Sequence, residues 1–250
     1  EAFKEERPTI GKEERLFIFS RLIMSKPNDF GLKQISLAQA LSLAIDLAKL
    51  IDTACSQGLS FDKLQDLVPE KYATHWQETL KLLKIITEYW PQILAERKAV
   101  DCCDLKNRLL FHQAALWQKE KTQQNVVAAG ITACFPSVVA LLKSIRKLPH
   151  GEIYFAGIDR FADNSYWDAV DETHPLYENK ILLELLGINR KSVIDISAPL
   201  RPEREKFISE IMRPAPVSDK WRNLPSDFDI TRATSGISFI NCNTQRHEAL

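Results

Sequence analysis

Up to about residue 122 the apolar positions recur with a helical period. Lys12 to Ser25 places Leu16, Phe19, Leu22 and Ile23 on one face, and Ser36 to Gln57 does the same with Leu37, Leu41, Ala44, Ala48, Ile51 and Cys55. Gly58 is positioned to stop the second helix. Ser60 caps a short helix through Leu67, closed by Pro69, and Thr74 with Gln77 forms the capping box of a long helix that reaches Ala95 despite Pro91. Asp101 to Lys119 is the next helix. Short connections favour antiparallel neighbours, so residues 1–122 read as an all-helical domain of about five elements.

At Asn125 the period changes. Asn125 to Ala129 is a short apolar run, Pro136 opens a helix at its first position, and Ile153 to Ala156 resumes an apolar strand before Gly157 and Asp159. Strand, loop, helix and strand make a βαβ-type unit, the building block of nucleotide-handling α/β domains. A core strand of a motor ATPase ends in carboxylates that hold Mg²⁺ and poise water, whereas this first strand ends Ala128-Ala129-Gly130. Asp159 to Tyr177 is acid-rich and reads as a solvated surface loop. Glu178 to Leu186 is a helix closed by Gly187, and Pro202 to Met212 is another. Asp219 to Ile230 looks irregular, and Gly236 to Cys242 is a β-like run that opens a second, truncated α/β element. The expected fold class is therefore helix-rich α/β, with an α/β region over residues 123–235 and the first strand of a further α/β domain in 236–250.

Charge and cysteine usage narrow the chemistry. The 250 residues carry 33 Lys plus Arg against 33 Asp plus Glu, so no global field draws the chain to nucleic acid or acidic membranes, and any DNA contact is local. Five scattered cysteines without a CxxC pair read as reduced thiols of a cytoplasmic protein, with Cys102 and Cys103 partly buried in packing. No signal peptide opens the chain and no apolar stretch is long enough for a membrane span. The first residue is Glu1, which suits an internal fragment.

Candidate chemistry is sparse. No Walker-type loop is present, although the amides of Gly130 to Pro136 precede a helix N-terminus and can meet an anion, with Gly130, Thr132 and Pro136 as the candidate positions. Asp159, Asp163, Asp168 and Asp171 lack the spacing of a calcium loop, the five histidines lack HExxH spacing, and no GxSxG elbow occurs, so no metal ligand or catalytic residue is assigned. Basic residues gather in Arg201, Arg204, Lys206, Arg213, Lys220 and Arg222 with Trp221 among them, a composition that contacts phosphates and stacks on a base. Glu203, Glu205, Glu210 and Asp219 dilute it toward an ordinary helix surface.

The order of segments resembles the middle of the AddB family, the B subunits of the bacterial AddAB helicase-nuclease of double-strand break repair, in its alphaproteobacterial form. The resemblance is carried by ERLFIFSRLI, ALSLAIDLAKLID, LVPEKYATHWQETLKLLKIITEYWPQILAE, AAGITACFPSVVALLKSIRKLP, HPLYENKILLELLGI, EIMRPAPVSDKW and GISFINCNTQRHEAL. Where the family loop runs AGSTGSIPAT, this chain keeps Gly130, Thr132 and Pro136 but has the bulkier Ile131, Cys134 and Phe135. The resemblance implies that the helical domain is insertion-like, that residues 123–235 are part of a RecA-like, P-loop helicase-like layer, and that the chain has a partner helicase-nuclease subunit, AddA. It also implies a non-catalytic role in DNA handling, with ATP, Mg²⁺ and any iron-sulfur cluster held by other parts of the full-length protein. Two alternatives stand beside it: a nucleotide hydrolase using the Gly130 to Pro136 loop, and a remnant of a split gene.

Overall fold

The computed structural model describes residues 7–30, 32, 34–59, 61, 73–120, 122–224, 228–238, 240–242 and 244, with the backbone alone at 73–78. The chain divides into two compact units, residues 1–129 with 133–154, and residues 130–132 with 155–250. The division falls after the βαβ unit, so that unit belongs with the helical layer and not with the segment that follows it.

In the first unit β1 (Thr9–Ile10) leads into α1 (Lys12–Ser25) and a single 3-10 turn at Pro27–Phe30, then α2 (Leu37–Gln57). Ser36 and Gln39 form a reciprocal capping box at the start of α2, and Gly58 ends it in the left-handed region at φ 66°, a conformation that favours glycine. The buried face of α2 is mostly small, with Ala40, Ala44, Leu47, Ala48 and Ile51, which lets α1 approach closely. Phe19 and Ile23 of α1 fill the space above that alanine stripe. The proposed helix from Ser60 through Leu67 lies, apart from Phe61, outside the described residues, as do the side chains of the Thr74 capping box.

The long helix that reaches across Pro91 is three pieces: α3 (Ala73–Lys84), a π-helical turn at Ile85–Tyr89, and α4 (Trp90–Glu96). Pro91 has no N–H and its ring crowds the carbonyl four residues back. The chain widens by one residue there, and Trp90 N–H reaches the carbonyl of Ile85. The bulge turns Ile85, Ile86 and Trp90 inward, and Trp90 meets Phe19 edge to face at 5.2 Å.

Next come β2 (Val100–Asp101), which pairs in parallel with β1, and α5 (Cys102–Lys119), capped by Asp101 through Cys103 N–H. The βαβ unit then follows as β3 (Val126–Ala129), α6 (Pro136–Ile145) with Pro136 at its first turn, and β4 (Gly151–Tyr154). β3 and β4 pair in parallel from Val126 with Gly151 to Ala129 with Tyr154. The fold class of this unit is helix-rich α/β with two small parallel sheets. α6 packs against α5, and Ser137 Oγ donates to Asn107 Oδ1 across that interface at 2.9 Å.

The second unit holds α7 (Asn164–Asp168), α8 (Tyr177–Leu186), a 3-10 turn at Arg190–Ser192, α9 (Pro202–Ile211), a longer 3-10 segment at Ala215–Asn223, and α10 (Ile230–Thr234). Here the structure corrects the surface-loop reading of Asp159 to Tyr177. Tyr166 is fully buried and forms a small core with Ala162 and Val170. The aspartates build turns where solvation was expected: Asp159 Oδ1 accepts the N–H groups of Phe161 and Ala162, Asp163 Oδ1 that of Tyr166, and Asp171 Oδ1 that of Thr173. Gly236–Cys242 also departs from expectation, since none of its described residues lies in a strand, and Ile237 and Ile240 are exposed. A β-like run becomes a strand only against a pairing partner, and among the described residues none adjoins it. No helix among the described residues is long and apolar enough to cross a membrane.

Candidate nucleic-acid interface

The basic tract lies on α9 and the 3-10 segment after it. Pro202 starts α9, and Glu203 and Glu205 sit in its first turn, where carboxylates complement the helix dipole. The six cations and the tryptophan then separate by role. Arg201 flanks the helix start and is exposed, as is Arg222. Lys206 is half-buried, its ammonium 5.7 Å from the centre of the Phe228 ring. Arg204 donates from Nε to the carbonyl of Ala233 at 3.1 Å and from its terminal nitrogen to that of Ser235, so it ties α10 to α9.

Buried Arg213 and the exposed Lys220 and Trp221 all make contacts within the fold. Arg213 is buried, donates two hydrogen bonds to Glu210 at 2.9 and 2.7 Å and one to Asp163 at 3.1 Å, and lies over the Tyr166 ring. Lys220 reaches the same Asp163 Oδ2 at 3.0 Å. The Trp221 indole N–H donates to the Glu210 carbonyl at 2.6 Å, although its ring remains half exposed. The tract therefore presents Arg201 and Arg222 to solvent and spends Arg204, Arg213 and Lys220 on internal contacts.

Sequence reasoning passed over Asp163, the hub of this cluster. Its position just before Asn164-Ser165-Tyr166 is the signal that could have found it, since Asp at a helix N-cap accepts the N–H three residues on. Desolvation alone would raise its pKa, but hydrogen bonds from Ser165, the Tyr166 backbone, Lys220 and Arg213 outweigh it and hold the carboxyl well below the usual range. A depressed folded-state pKa stabilises the fold above the unfolded value near 3.9, and that contribution is lost as pH falls from there through the folded value. Asp163→Asn retains the cap but not the charge. Because the Asp163 side chain is 42% exposed, the effect is screened and should be about 1 kcal/mol at pH 7. Unfolding followed by tryptophan fluorescence should show the variant less stable at pH 7, with the difference shrinking as pH falls below about 4 and vanishing only below the folded-state value.

A second pair of side chains caps the far end of α9. Both the Tyr166 hydroxyl, at 3.1 Å, and His174 Nε2, at 2.7 Å, meet the carbonyl of Met212, the residue that closes the helix. His174 Nδ1 accepts the N–H of Leu176, so the Nε2–H tautomer satisfies both sides of the ring. Burial pushes the Tyr166 phenol up to about 12, keeping it a donor.

The loop of Gly130, Thr132 and Pro136 is an extended strand-to-helix connection in which Gly130 takes φ 67° and Pro136 sits in the first turn of α6. Its residues are divided between the two units. The cysteines are free thiols, and burial, followed by a hydrogen bond from Cys103, raises Cys55 to about 12, which keeps it a protonated packing group. Trp90 is a core aromatic and Trp117 is half-buried, while Trp76 falls outside the described side chains. Among the described residues no group of three histidine, cysteine, aspartate or glutamate side chains is placed to hold a metal ion.

No family model, curated protein or solved structure matches the chain.

Proposed function

We propose that the chain is a non-catalytic, helicase-like segment of a cytoplasmic double-strand break repair subunit of the AddB type, which supports DNA and assembles with an AddA-type helicase-nuclease subunit. The observation that carries the reading is the parallel β3–α6–β4 unit seated on α5, whose first strand ends Ala128-Ala129-Gly130 where a motor places carboxylates. The family order of segments on either side of that unit supports it. A RecA-like layer completed by further chain is the fold this implies.

In this reading Arg201 and Arg222, with Lys206 beside them, meet DNA phosphates, while Arg213 and Lys220 keep the surface in shape. Purified chain should co-elute with the partner subunit and should retain single-stranded DNA weakly at low salt, with a log–log salt slope of about −2 for three phosphate contacts. Arg201→Ala with Arg222→Ala should reduce the magnitude of that slope by about 1.4, to about −0.7, and leave the folded state intact. Absence of both co-elution and DNA retention at 20 to about 50 mM salt would end the proposal.

A further inference from the structure

We propose that the second unit contains a binding site for a small primary ammonium ligand with an aryl or branched alkyl body. A cavity of about 330 Å³ opens between the 157–161 turn, the 174–176 turn and α9. That volume lies in the range of small-molecule sites. Ile158, Phe161, Leu176, Ile208 and Met212 make its walls apolar.

Ser209 gives the cavity a polar target. The residue is 4% exposed and lines the cavity, and its hydroxyl has no hydrogen-bond partner among the described residues. Several buried or half-buried helical hydroxyls bond back to a carbonyl, as Ser20 does to Leu16, Thr87 to Leu83 and Ser144 to Leu141, and Ser137 finds a side-chain acceptor in Asn107. Ser209 does neither, and its oxygen, which is not among the fully enclosed unpartnered side-chain atoms, can take a partner from the cavity that it lines.

The charged groups set the sign of that ligand. Asp159 and Glu205 line the cavity. Asp159 uses Oδ1 for its turn, and its Oδ2 carries no hydrogen bond among the described residues. Glu205 has only a distant contact, 3.8 Å, with Arg160 Nε. Arg160 is the lining cation, and its terminal nitrogen is engaged by Asp195 at 2.9 Å. His174 is committed on both nitrogens to backbone partners. The cavity thus offers acceptors at Ser209, Asp159 and Glu205 with its donors already engaged, which suits an ammonium above an apolar body, and Phe161 and Tyr166 add aromatic rings to the lining.

The test uses the full chain with three probes of similar size: 2-phenylethylamine, 2-phenylethanol and phenylacetate. Binding is read by ligand-observed NMR and by chemical-shift titration. The amine should bind, the alcohol should be weaker by about tenfold, and the carboxylate should not bind. Ser209→Ala should weaken the amine about tenfold, and Glu205→Gln should narrow the gap between amine and alcohol. Ile208→Trp, at a position 52% exposed, closes the cavity without disturbing the core and should abolish binding of every probe. Carboxylate binding as tight as the amine, an amine affinity unchanged in both Ser209→Ala and Ile208→Trp, or no amine binding at about 10 mM overturns the proposal.

Discussion

Gly151→Ala is expected to cost more than about 4 kcal/mol and to dismantle the βαβ unit. A methyl group at that position would stand 1.8 Å from the carbonyl oxygen of Ile145 and 2.8 Å from its carbon, and both atoms are backbone. The oxygen cannot swing away, because it belongs to the last residue of α6 and accepts the N–H of Leu148 at 3.0 Å. The 146–150 turn would have to re-route, and Gly151 is the first residue of β4, paired with Val126. Moving it breaks the register of all four pairs of the sheet. Chemical denaturation with far-ultraviolet circular dichroism measures the loss. Gly11→Ala is the control, since a methyl there meets only Glu13 Oε2 at an ordinary 3.7 Å, and it should cost no more than about 1 kcal/mol. Equal costs at the two sites would mean that the α6–β4 turn yields more easily than its geometry implies.

The same turn shows which features the sequence makes legible. Helix boundaries are local chemistry: Lys12–Ser25 runs between the expected residues, Gly58 and Gly187 close their helices at φ 66° and 64°, and Pro136 and Pro202 open theirs. The parallel β3–β4 pair was also readable, because two apolar runs flank a helix of the right length. What was hidden depended on distant partners. β1 and β2 are two residues each, too short for any periodicity, and pair Thr9 with Val100. The π-turn before Pro91 could be anticipated as a disturbance but not as an inserted residue.

The candidate site was misread for a related reason. A cluster of lysine and arginine in sequence suggests an outward-facing field, yet Arg213 is buried and both it and Lys220 are engaged by Asp163, some fifty residues earlier. Charges count toward a surface only after their internal partners are subtracted. Ser209 was missed for the opposite reason, because nothing about a serine in mid-helix tells whether its hydroxyl bonds back to the chain.

Arg15→Met should destabilise the first unit by about 3–5 kcal/mol, the cost of leaving the buried Asp101 and the part-buried Asp52 carboxylates without their cation. Arg15 is 1% exposed, donating from one terminal nitrogen to Asp101 at 2.8 Å and from the other to Asp52 at 2.7 Å, so one guanidinium joins α1 to α2 and to the start of α5. Its Nε is buried with no partner, which is part of the price of the fork. Lysine cannot reproduce it, because one ammonium does not present two parallel donors, and Arg15→Lys should recover less than half of the loss. Asp101 does a second task, capping α5 through Cys103 N–H at 2.7 Å, and asparagine can still do that. Adding Asp101→Asn to Arg15→Met removes the stranded charge while keeping the cap, so the double variant should be more stable than Arg15→Met alone by about 1–2 kcal/mol. Denaturant titration of the four proteins of this cycle measures the coupling. If the two substitutions simply add, Arg15 contributes by packing its stem, and the ion pair is not what binds the three helices.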